Sequence, residues 1–433
     1  MRRLRTNNKI VNNSLWIIAE RIMQMAVSVI INAVAARYFG TSSWGTINYC
    51  ASFISIFTAF STLGLEYVVI KEMIENPEEE GRIIGTSMVM RVISSISSIF
   101  CIQILVGVLK AGNTLFLWIA FLQSLQLIFK ASELIDFWFQ SKLQSKHVSI
   151  AKGITYVVVA LWKIYILFTK KGEAWFAFSA TLDALVTAVL LLYMYTRADG
   201  QKFLFSRTWV KRLLSQSKHF IIASMITVVY SEMDKIMLGN LMNESEVGIY
   251  TVAYGVAFMW VFIPNAIMNS YRPAIVEGYR TKTNYLERLK TLYSILIWIG
   301  IAAGLGIMVF GKLIIWILYG AEYMRAVPSL NLLIWSTLFS HLSVARSTWL
   351  VCEDLHRFSK VFPIWGVVIN LALNAVLIPK IGATGASVAT LVTQFVITMI
   401  APLFYKETRI SVKHMVDAFF ARDLIDRIKG MRQ

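Results

Sequence analysis

Long apolar stretches follow one another along almost the whole of this 433-residue chain, and they restrict its fold more than any other feature. A helix needs about 20 apolar residues to cross a hydrocarbon core about 30 Å thick. Twelve stretches meet this requirement: 14–36, 46–70, 84–108, 114–139, 148–169, 174–196, 218–240, 246–271, 291–317, 327–351, 359–379 and 383–404. The sequence therefore predicts an all-α integral membrane protein with about twelve transmembrane helices.

The distribution of basic residues predicts the orientation of these spans. The net charge of +17 would suggest a nucleic-acid partner in a soluble chain. With a cytoplasmic N-terminus, however, 29 Lys and Arg residues lie in cytoplasmic segments and 6 in outer loops. Because membrane proteins concentrate Lys and Arg on the cytoplasmic side, we expect both termini to be cytoplasmic. No nucleic-acid partner is expected.

Two pairs of similar segments suggest an internal repeat. Gly45, after GTSSWG, corresponds to Gly248, after NESEVG, at an offset of 203 residues. The segment that begins at Gly172 corresponds to the one that begins at Gly385, at an offset of 213. These offsets place six spans over six spans in the same orientation, which is a parallel repeat. An accidental match of apolar segments is the alternative.

The repeat predicts how the chain is divided. We expect an N-terminal six-helix bundle at 1–196, a cytoplasmic linker at 197–217, a C-terminal six-helix bundle at 218–404 and a basic cytoplasmic tail at 405–433. Two similar bundles that face each other leave a central cavity, which is the arrangement that alternating access requires.

Polar and charged residues interrupt several predicted spans. A charge at the centre of a span costs about 2.5–3.5 kcal/mol on insertion scales, so it usually faces a partner or a water-filled cavity. Helical spacing places Arg21 on one face with Gln24, and Asp234 on one face with Thr227. The pairs of Asn residues at 265 and 269 and at 370 and 374 are each one turn apart. These stripes are expected to face a hydrated cavity.

Some of these charges have more than one interpretation. Lys130, Glu133 and Asp136 follow at three-residue spacing and could neutralise one another as a structural network. Asp136 and Arg346 lie near predicted helix ends, where their side chains are expected to reach the membrane interface. Lys163 and Asp183 are predicted to line the cavity instead.

Motifs of catalysis and cofactor binding are absent from the sequence. There is no HExxH, no GxxxxGK[ST] and no GxGxxG after a predicted strand. The three cysteines have no CxxC spacing, so neither a disulfide framework nor a metal site is predicted. We expect no catalytic residues, no cofactor and no enzyme activity.

The chain resembles the Wzx-type oligosaccharide-lipid flippases of the multidrug/oligosaccharidyl-lipid/polysaccharide (MOP) exporter superfamily. The resemblance extends over nearly the whole chain and is carried by ERIMQMAVSVIINAVAARYFG, GTINYCASF, LGLEYVVIKEM, DFWFQSKLQ, SEMDKIMLGNLMNESEVGIYTVAY and LNAVLIPKIGATGASVAT. It implies two six-helix bundles around a cationic lumen. It also implies movement of an undecaprenyl-pyrophosphate-linked oligosaccharide to the outer leaflet of a bacterial inner membrane, for surface polysaccharide synthesis.

The polar residues of the spans receive predicted roles on this basis. Candidates for substrate binding are Arg21, Gln24, Arg91, Lys130, Lys163, Asn265, Asn269, Arg272, Asn370 and Asn374. Candidates for coupling or gating are Glu20, Asp183, Glu232, Asp234 and Lys235. By position, Arg21 matches the basic residue of the family's first helix and Asp234 the acid of its seventh.

Other functions remain open at this stage. The expected partners are a lipid-linked oligosaccharide, membrane lipid, and the polymerase and chain-length proteins of the same pathway. A cation or multidrug antiporter (MATE-like) has the same predicted fold but should have more acidic than basic residues in its lumen. A membrane polymerase or ligase of the same glycan should have a large outer loop, and the outer loops here are short.

Overall fold

The computed structural model describes residues 2–420, without the side chains of residues 2–23, 25–27, 219 and 223. Within this part of the chain all regular elements are helical. The chain separates into two compact units, Met1–Glu232 and Met233–Gln433. The division falls within one long helix. The bundle and linker boundaries predicted from the repeat stay a prediction.

Ten helices begin in the first unit. They are α1 (Arg2–Ser61), α2 (Glu66–Glu75), α3 (Glu80–Leu109), α4 (Thr114–Ser124), α5 (Gln126–Phe129), α6 (Glu133–Ser141), α7 (Ser145–Phe168), α8 (Glu173–Ala177), α9 (Ser179–Arg197) and α10 (Arg207–Leu241). The second unit begins within α10. Its other helices are α11 (Glu244–Phe258), α12 (Phe262–Thr281), α13 (Tyr285–Tyr319), α14 (Val327–Cys352), α15 (Phe358–Phe395) and α16 (Arg409–Phe419).

All twelve predicted spans lie on helices, which confirms the predicted fold class. Nine helical runs of the described chain are long and apolar enough to cross a membrane. The run Phe358–Phe404 contains two predicted spans, and the run Ser28–Glu75 contains one whole predicted span and the end of the one before it. Their bends lie at Gly40, with φ of 73°, and at Gly382, with φ of 54°. Glycine adopts positive φ without steric cost, so each bend separates two spans at a glycine.

The core of the first unit surrounds Trp138. This side chain is 2% exposed and packs in an apolar cluster with Leu65 and Leu134. Its indole Nε1 donates to Glu80 at 2.7 Å, and Lys142 lies 3.1 Å from the same carboxylate. A buried indole N–H needs an acceptor, so this polar pair allows the largest aromatic side chain to be buried.

The segment after α9 is held against the turn between α2 and α3 and against the beginning of α3. Gln201 accepts from the Gly81 amide at 2.9 Å and donates to the Pro77 carbonyl at 2.9 Å. The Leu204 amide donates to the Gly81 carbonyl at 3.1 Å, and the Ser206 amide donates to Thr86 at 3.0 Å. We call residues 200–206 the strap. The predicted linker therefore begins with a segment that is fixed to the first unit.

Close helix packing in the second unit depends on two glycines of the GIAAG stretch in α13. A Cβ atom at Gly300 would lie 2.6 Å from Leu338, and one at Gly304 would lie 2.9 Å from the Trp335 ring. Both neighbours are on α14. Because only glycine leaves this space open, α13 and α14 can pack closely here.

The expectation that Asp136 and Arg346 reach the membrane interface is wrong. Asp136 is 7% exposed and Arg346 is 1% exposed. The Arg346 guanidinium donates to the carbonyls of Thr398, at 2.8 Å, and Ile397, at 3.0 Å. These carbonyls belong to a π-helical turn, Val396–Ile400, that follows α15. The wider turn gives the buried cation its acceptors, and this could not be foreseen from the helix position of Arg346.

Candidate functional site

A polar cavity of about 540 Å³ lies within the first unit. Its polar lining comes from several helices of that unit: Gln24, Glu66, Lys130, Ser132, Glu133, Asp136, Gln140, Lys152, Tyr156, Asp183 and Thr187. Polar groups at membrane depth are costly unless they face one another or water, so their convergence marks a candidate binding site. It contains three of the residues predicted from the sequence, namely Gln24, Lys130 and Asp183.

The fourth predicted span is interrupted where it borders this cavity. A 3₁₀ turn, Lys130–Ser132, separates α5 from α6. Arg91 on α3, which is 3% exposed, donates to the Lys130 carbonyl at 3.2 Å and to the Thr62 carbonyl at 3.3 Å. Irregular backbone within a membrane is tolerated where protein groups satisfy it. Arg91 therefore stabilises two helix ends at once.

Two carboxylates of the cavity are paired with cations from other helices. Glu133 Oε2 lies 3.3 Å from Arg91 Nη1, and Asp136 Oδ2 lies 2.9 Å from Lys152 Nζ. Gln140 also donates to Asp136 at 2.8 Å. The structure thus pairs Glu133 and Asp136 with α3 and α7, whereas the sequence spacing had suggested a network with Lys130. These pairs fix the carboxylates in defined positions.

The charge balance of the cavity differs from the cationic lumen that the family resemblance implies. Among the residues whose side chains the structure describes, its lining includes the carboxylates of Glu66, Glu133, Asp136 and Asp183 and two ammonium groups, Lys130 and Lys152. The charge of Glu133 is offset by Arg91, which pairs with it but does not itself line the cavity. Ionised carboxylates accept hydrogen bonds and donate none. The cavity is therefore suited to a ligand rich in hydroxyl or amine donors.

Lys163 lies on α7 near the edge of this region. Its ammonium group lies 5.2 Å from the centre of the Phe176 ring and interacts electrostatically with Asp183. Cation–π contact with an aromatic face stabilises a cation where water is scarce. Of the predicted pair Lys163 and Asp183, the aspartate contributes to the cavity lining.

A second polar site surrounds Asp234 in the second unit. Asp234 is 4% exposed and accepts from Tyr250 at 2.5 Å, from Thr390 at 2.6 Å and from Asn374 at 2.6 Å. Asn374 also donates to Asn370 at 3.0 Å. We call these five residues the Asp234 cluster. Three donors satisfy a buried carboxylate, so the cluster can hold a charge that the apolar surroundings would otherwise disfavour.

The structure brings together three residues that the sequence had marked separately. Asp234 was predicted for coupling, and Asn370 and Asn374 for substrate binding, yet all three belong to the Asp234 cluster. Both asparagines are almost fully buried. The carbonyl oxygen of Asn374 has no hydrogen-bond partner there.

The other predicted residues are distributed more widely. Asn265, Asn269 and Arg272 are exposed along α12, and Glu232 is partly exposed on α10. Lys235 lies 5.7 Å from the centre of the Tyr254 ring. The side chains of Glu20 and Arg21 are outside the described residues. No group of three or more His, Cys, Asp or Glu side chains arranged for a metal occurs in the described part of the chain.

Sequence reasoning missed several residues of these sites. Glu66 and Lys152 are charged residues within predicted spans, and that signal alone could have identified them. Tyr156, Thr187 and Thr390 gave no such signal, because single hydroxyl groups are common in transmembrane helices.

Comparison with solved structures identifies the fold. The chain superposes on a lipid II flippase, MurJ, in an inward closed conformation with a TM-score of 0.71 and 14% identity, covering 96% of this chain and 93% of that one. It superposes on an inward-facing MATE transporter of the MOP superfamily with a TM-score of 0.70 and 13% identity, covering 91% of this chain and 96% of that one. The fold is that of the MOP transporters.

Comparison of the sequence with protein families identifies the family of the chain. The profile of the family described as "Polysaccharide biosynthesis protein" matches residues 10–278. The chain belongs to this family. It is also 26% identical over 207 residues to a probable low-salt glycan biosynthesis flippase, Agl15, of Haloferax volcanii. That match covers 47% of this chain and 43% of Agl15, so the chain spans less than half the length of this curated relative.

Proposed function

We propose that the chain is a flippase that moves an undecaprenyl-pyrophosphate-linked oligosaccharide from the cytoplasmic to the outer leaflet of a membrane. Membership of the polysaccharide biosynthesis protein family is the observation that carries this proposal. The similarity to a glycan biosynthesis flippase and the fold shared with a lipid II flippase support it. The substrate changes sides and no covalent bond changes, so no catalytic residue is required.

The cavity of the first unit is suited to the glycan of such a substrate. Glu66 and Asp183 border it as hydrogen-bond acceptors, and sugar hydroxyls are the donors that would match them. Glu133 and Asp136, held by their cations, would keep their orientation when the ligand enters. Lys130 is the ammonium group of the lining that we assign to the negatively charged part of the substrate.

We assign a coupling role to the Asp234 cluster. Its carboxylate and the unpartnered Asn374 carbonyl are buried acceptors on α10 and α15. Arrival of a proton or a small cation would change which of these acceptors is satisfied. A ligand shifts a conformational equilibrium only through different affinities for the two states. Binding at this cluster could supply that difference.

The orientation of the chain is part of the same proposal. The excess of Lys and Arg in alternate connecting segments supports cytoplasmic termini. A bacterial inner membrane, and contact with the polymerase and chain-length proteins of the pathway, stay predictions.

Cation export is a second candidate because of one observation. The described lining of the first unit's cavity has four carboxylates against two ammonium groups, which is the balance expected of a cation antiporter. Two of those carboxylates are already paired with Arg91 and Lys152. Asp183 also interacts electrostatically with Lys163, so among the described residues most of the negative charge of the cavity is already offset, and this favours the flippase.

Reconstitution separates the two candidates. The purified protein is placed in vesicles whose lipid includes an undecaprenyl-pyrophosphate oligosaccharide with a fluorescent sugar, and a membrane-impermeant quencher reports which leaflet holds the sugar. We expect the protein to make the inner-leaflet pool accessible to the quencher. Export of a cationic dye without movement of the oligosaccharide would overturn the flippase proposal.

A further inference from the structure

An apolar groove of about 510 Å³ lies on the second unit, and its lining includes no residue of either polar site. Ile297 and Ile301 on α13 and Leu338 on α14 form its walls, and Met415 and Phe419 on α16 close one side. All the side chains that line it are apolar or aromatic. The close packing of α13 on α14 at Gly300 and Gly304 fixes the two walls.

The helix beside the groove has the character of a membrane-surface helix. α16 buries Val412, Met415 and Ala418 against the unit. Its exposed face carries Arg409 and Lys413, one turn apart, while further along the helix Val416 and Phe420 are 40% and 54% exposed. Basic and apolar side chains exposed on one short helix are typical of helices that lie in the headgroup region.

Aromatic contacts place the same helix at the membrane boundary. Phe419 stacks on Trp298 of α13, with ring centres 6.1 Å apart and planes at 7°. Both side chains are about half exposed. Exposed Trp is enriched where the hydrocarbon core meets the headgroups, and this supports an interfacial position for this end of the groove.

We propose that the groove binds one acyl chain of an anionic phospholipid, with Arg409 and Lys413 contacting the headgroup phosphate. The apolar lining matches a hydrocarbon chain, and the two cations exposed on α16, the helix that closes one side of the groove, match an anionic headgroup. Neither argument depends on the transported substrate.

The volume favours a phospholipid over the prenyl tail of a lipid-linked sugar. At roughly 30 Å³ for each carbon-sized group, which is the share of one water in the liquid, 510 Å³ holds about 17 groups. This equals one acyl chain. It is less than a third of a 55-carbon undecaprenyl chain.

Photolabelling of the full chain tests the site. The protein is reconstituted in phosphatidylcholine vesicles that contain phosphatidylglycerol with a diazirine in one acyl chain, and the labelled peptides are mapped by mass spectrometry. We expect labels to concentrate on α13, α14 and α16. Unlabelled phosphatidylglycerol should compete with the probe, and phosphatidylcholine should not.

Two variants and two matched controls make the test specific. Ile301→Trp fills the groove and should remove most of this labelling, whereas Leu305→Trp, one turn along α13 and 55% exposed, should not. The double change Arg409→Glu/Lys413→Glu should reduce labelling at least about tenfold, as expected for loss of two interfacial cations. Lys170→Glu/Lys171→Glu, in an exposed loop of the first unit, is its control.

Three outcomes would overturn the proposal. Labels could be spread evenly over exposed apolar surfaces. Phosphatidylcholine could compete as well as phosphatidylglycerol. Undecaprenyl phosphate could compete better than either, which would assign the groove to the prenyl tail. Transport is measured independently in the quencher assay. A negative labelling result would therefore overturn the lipid site without contradicting the flippase proposal.

Discussion

The guanidinium of Arg91 on α3 lies 3.3 Å from the carboxylate of Glu133, the first residue of α6. Arg91 is 3% exposed, whereas the Glu133 side chain is 38% exposed. The pair therefore reaches from the interior of the first unit to its polar cavity. The Arg91 side chain therefore contacts three parts of the unit: the interruption of the fourth span, the end of α1 and the lining of the cavity.

Loss of Arg91 should destabilise the protein strongly. Arg91→Ala leaves the Thr62 and Lys130 carbonyls and the Glu133 carboxylate without this partner, and we expect a loss of about 3 kcal/mol or more. Arg82→Ala, on the same helix, removes an exposed pair with Glu79 and should cost about 0–1 kcal/mol. Thermal unfolding of the purified variants measures both. Equal shifts in the two variants would contradict this role.

The cavity carboxylates should matter for transport more than for folding. Asp183→Asn and Glu66→Gln keep the side-chain size and remove a charged acceptor. A hydrogen bond to a charged group contributes about 1.5–3 kcal/mol, so engagement of the glycan should weaken about ten- to a hundredfold. Quencher-accessible oligosaccharide is measured beside membrane abundance. Asp199→Asn, in the turn after α9, is the control and should leave both unchanged.

Asp234→Asn should preserve membrane abundance and reduce export of the glycan. The amide keeps the shape of the side chain but cannot carry the charge that a coupled ion would exchange. Tyr250→Phe removes one of the three donors and should have a smaller effect in the same direction. Transport is measured across imposed pH and sodium gradients. Full activity of Asp234→Asn under both gradients would leave Asp234 with a packing role only.

Cysteine labelling should confirm the proposed orientation. Lys171 and Lys202 are exposed residues of two connecting segments of the first unit, and the charge distribution places them on opposite sides of the membrane. In a cysteine-free chain, Lys171→Cys should react with an impermeant reagent added to intact cells. Lys202→Cys should react only after permeabilisation. The reverse pattern would invert the topology.

The transmembrane helices could be predicted from the sequence because each depends on a local property. An apolar run long enough to cross the membrane has to form its hydrogen bonds within itself, and a helix does this whatever its neighbours are. The positions of the two bends are also a local property, because each lies at a glycine, Gly40 or Gly382, between two predicted spans. The short interruption at Lys130–Ser132 has no comparable signal.

Contacts between helices could be predicted only in part. Helical spacing marked Asp234 on one stripe and Asn370 and Asn374 on another, but not that the two stripes meet. The partners of Asp136 and Glu133 depend on how α3 and α7 are rotated about their axes. The π-helical turn that receives Arg346 is likewise a product of packing.

The strap has a consequence for biosynthesis. A ribosome delivers the chain from its N-terminus at about 5–20 residues per second. The hydrogen bonds of Gln201, Leu204 and Ser206 to the beginning of α3 involve only residues of the first unit. These contacts thus become available directly after the sixth predicted span has been translated. The strap can therefore form on the first six spans while the rest of the chain is still being synthesised.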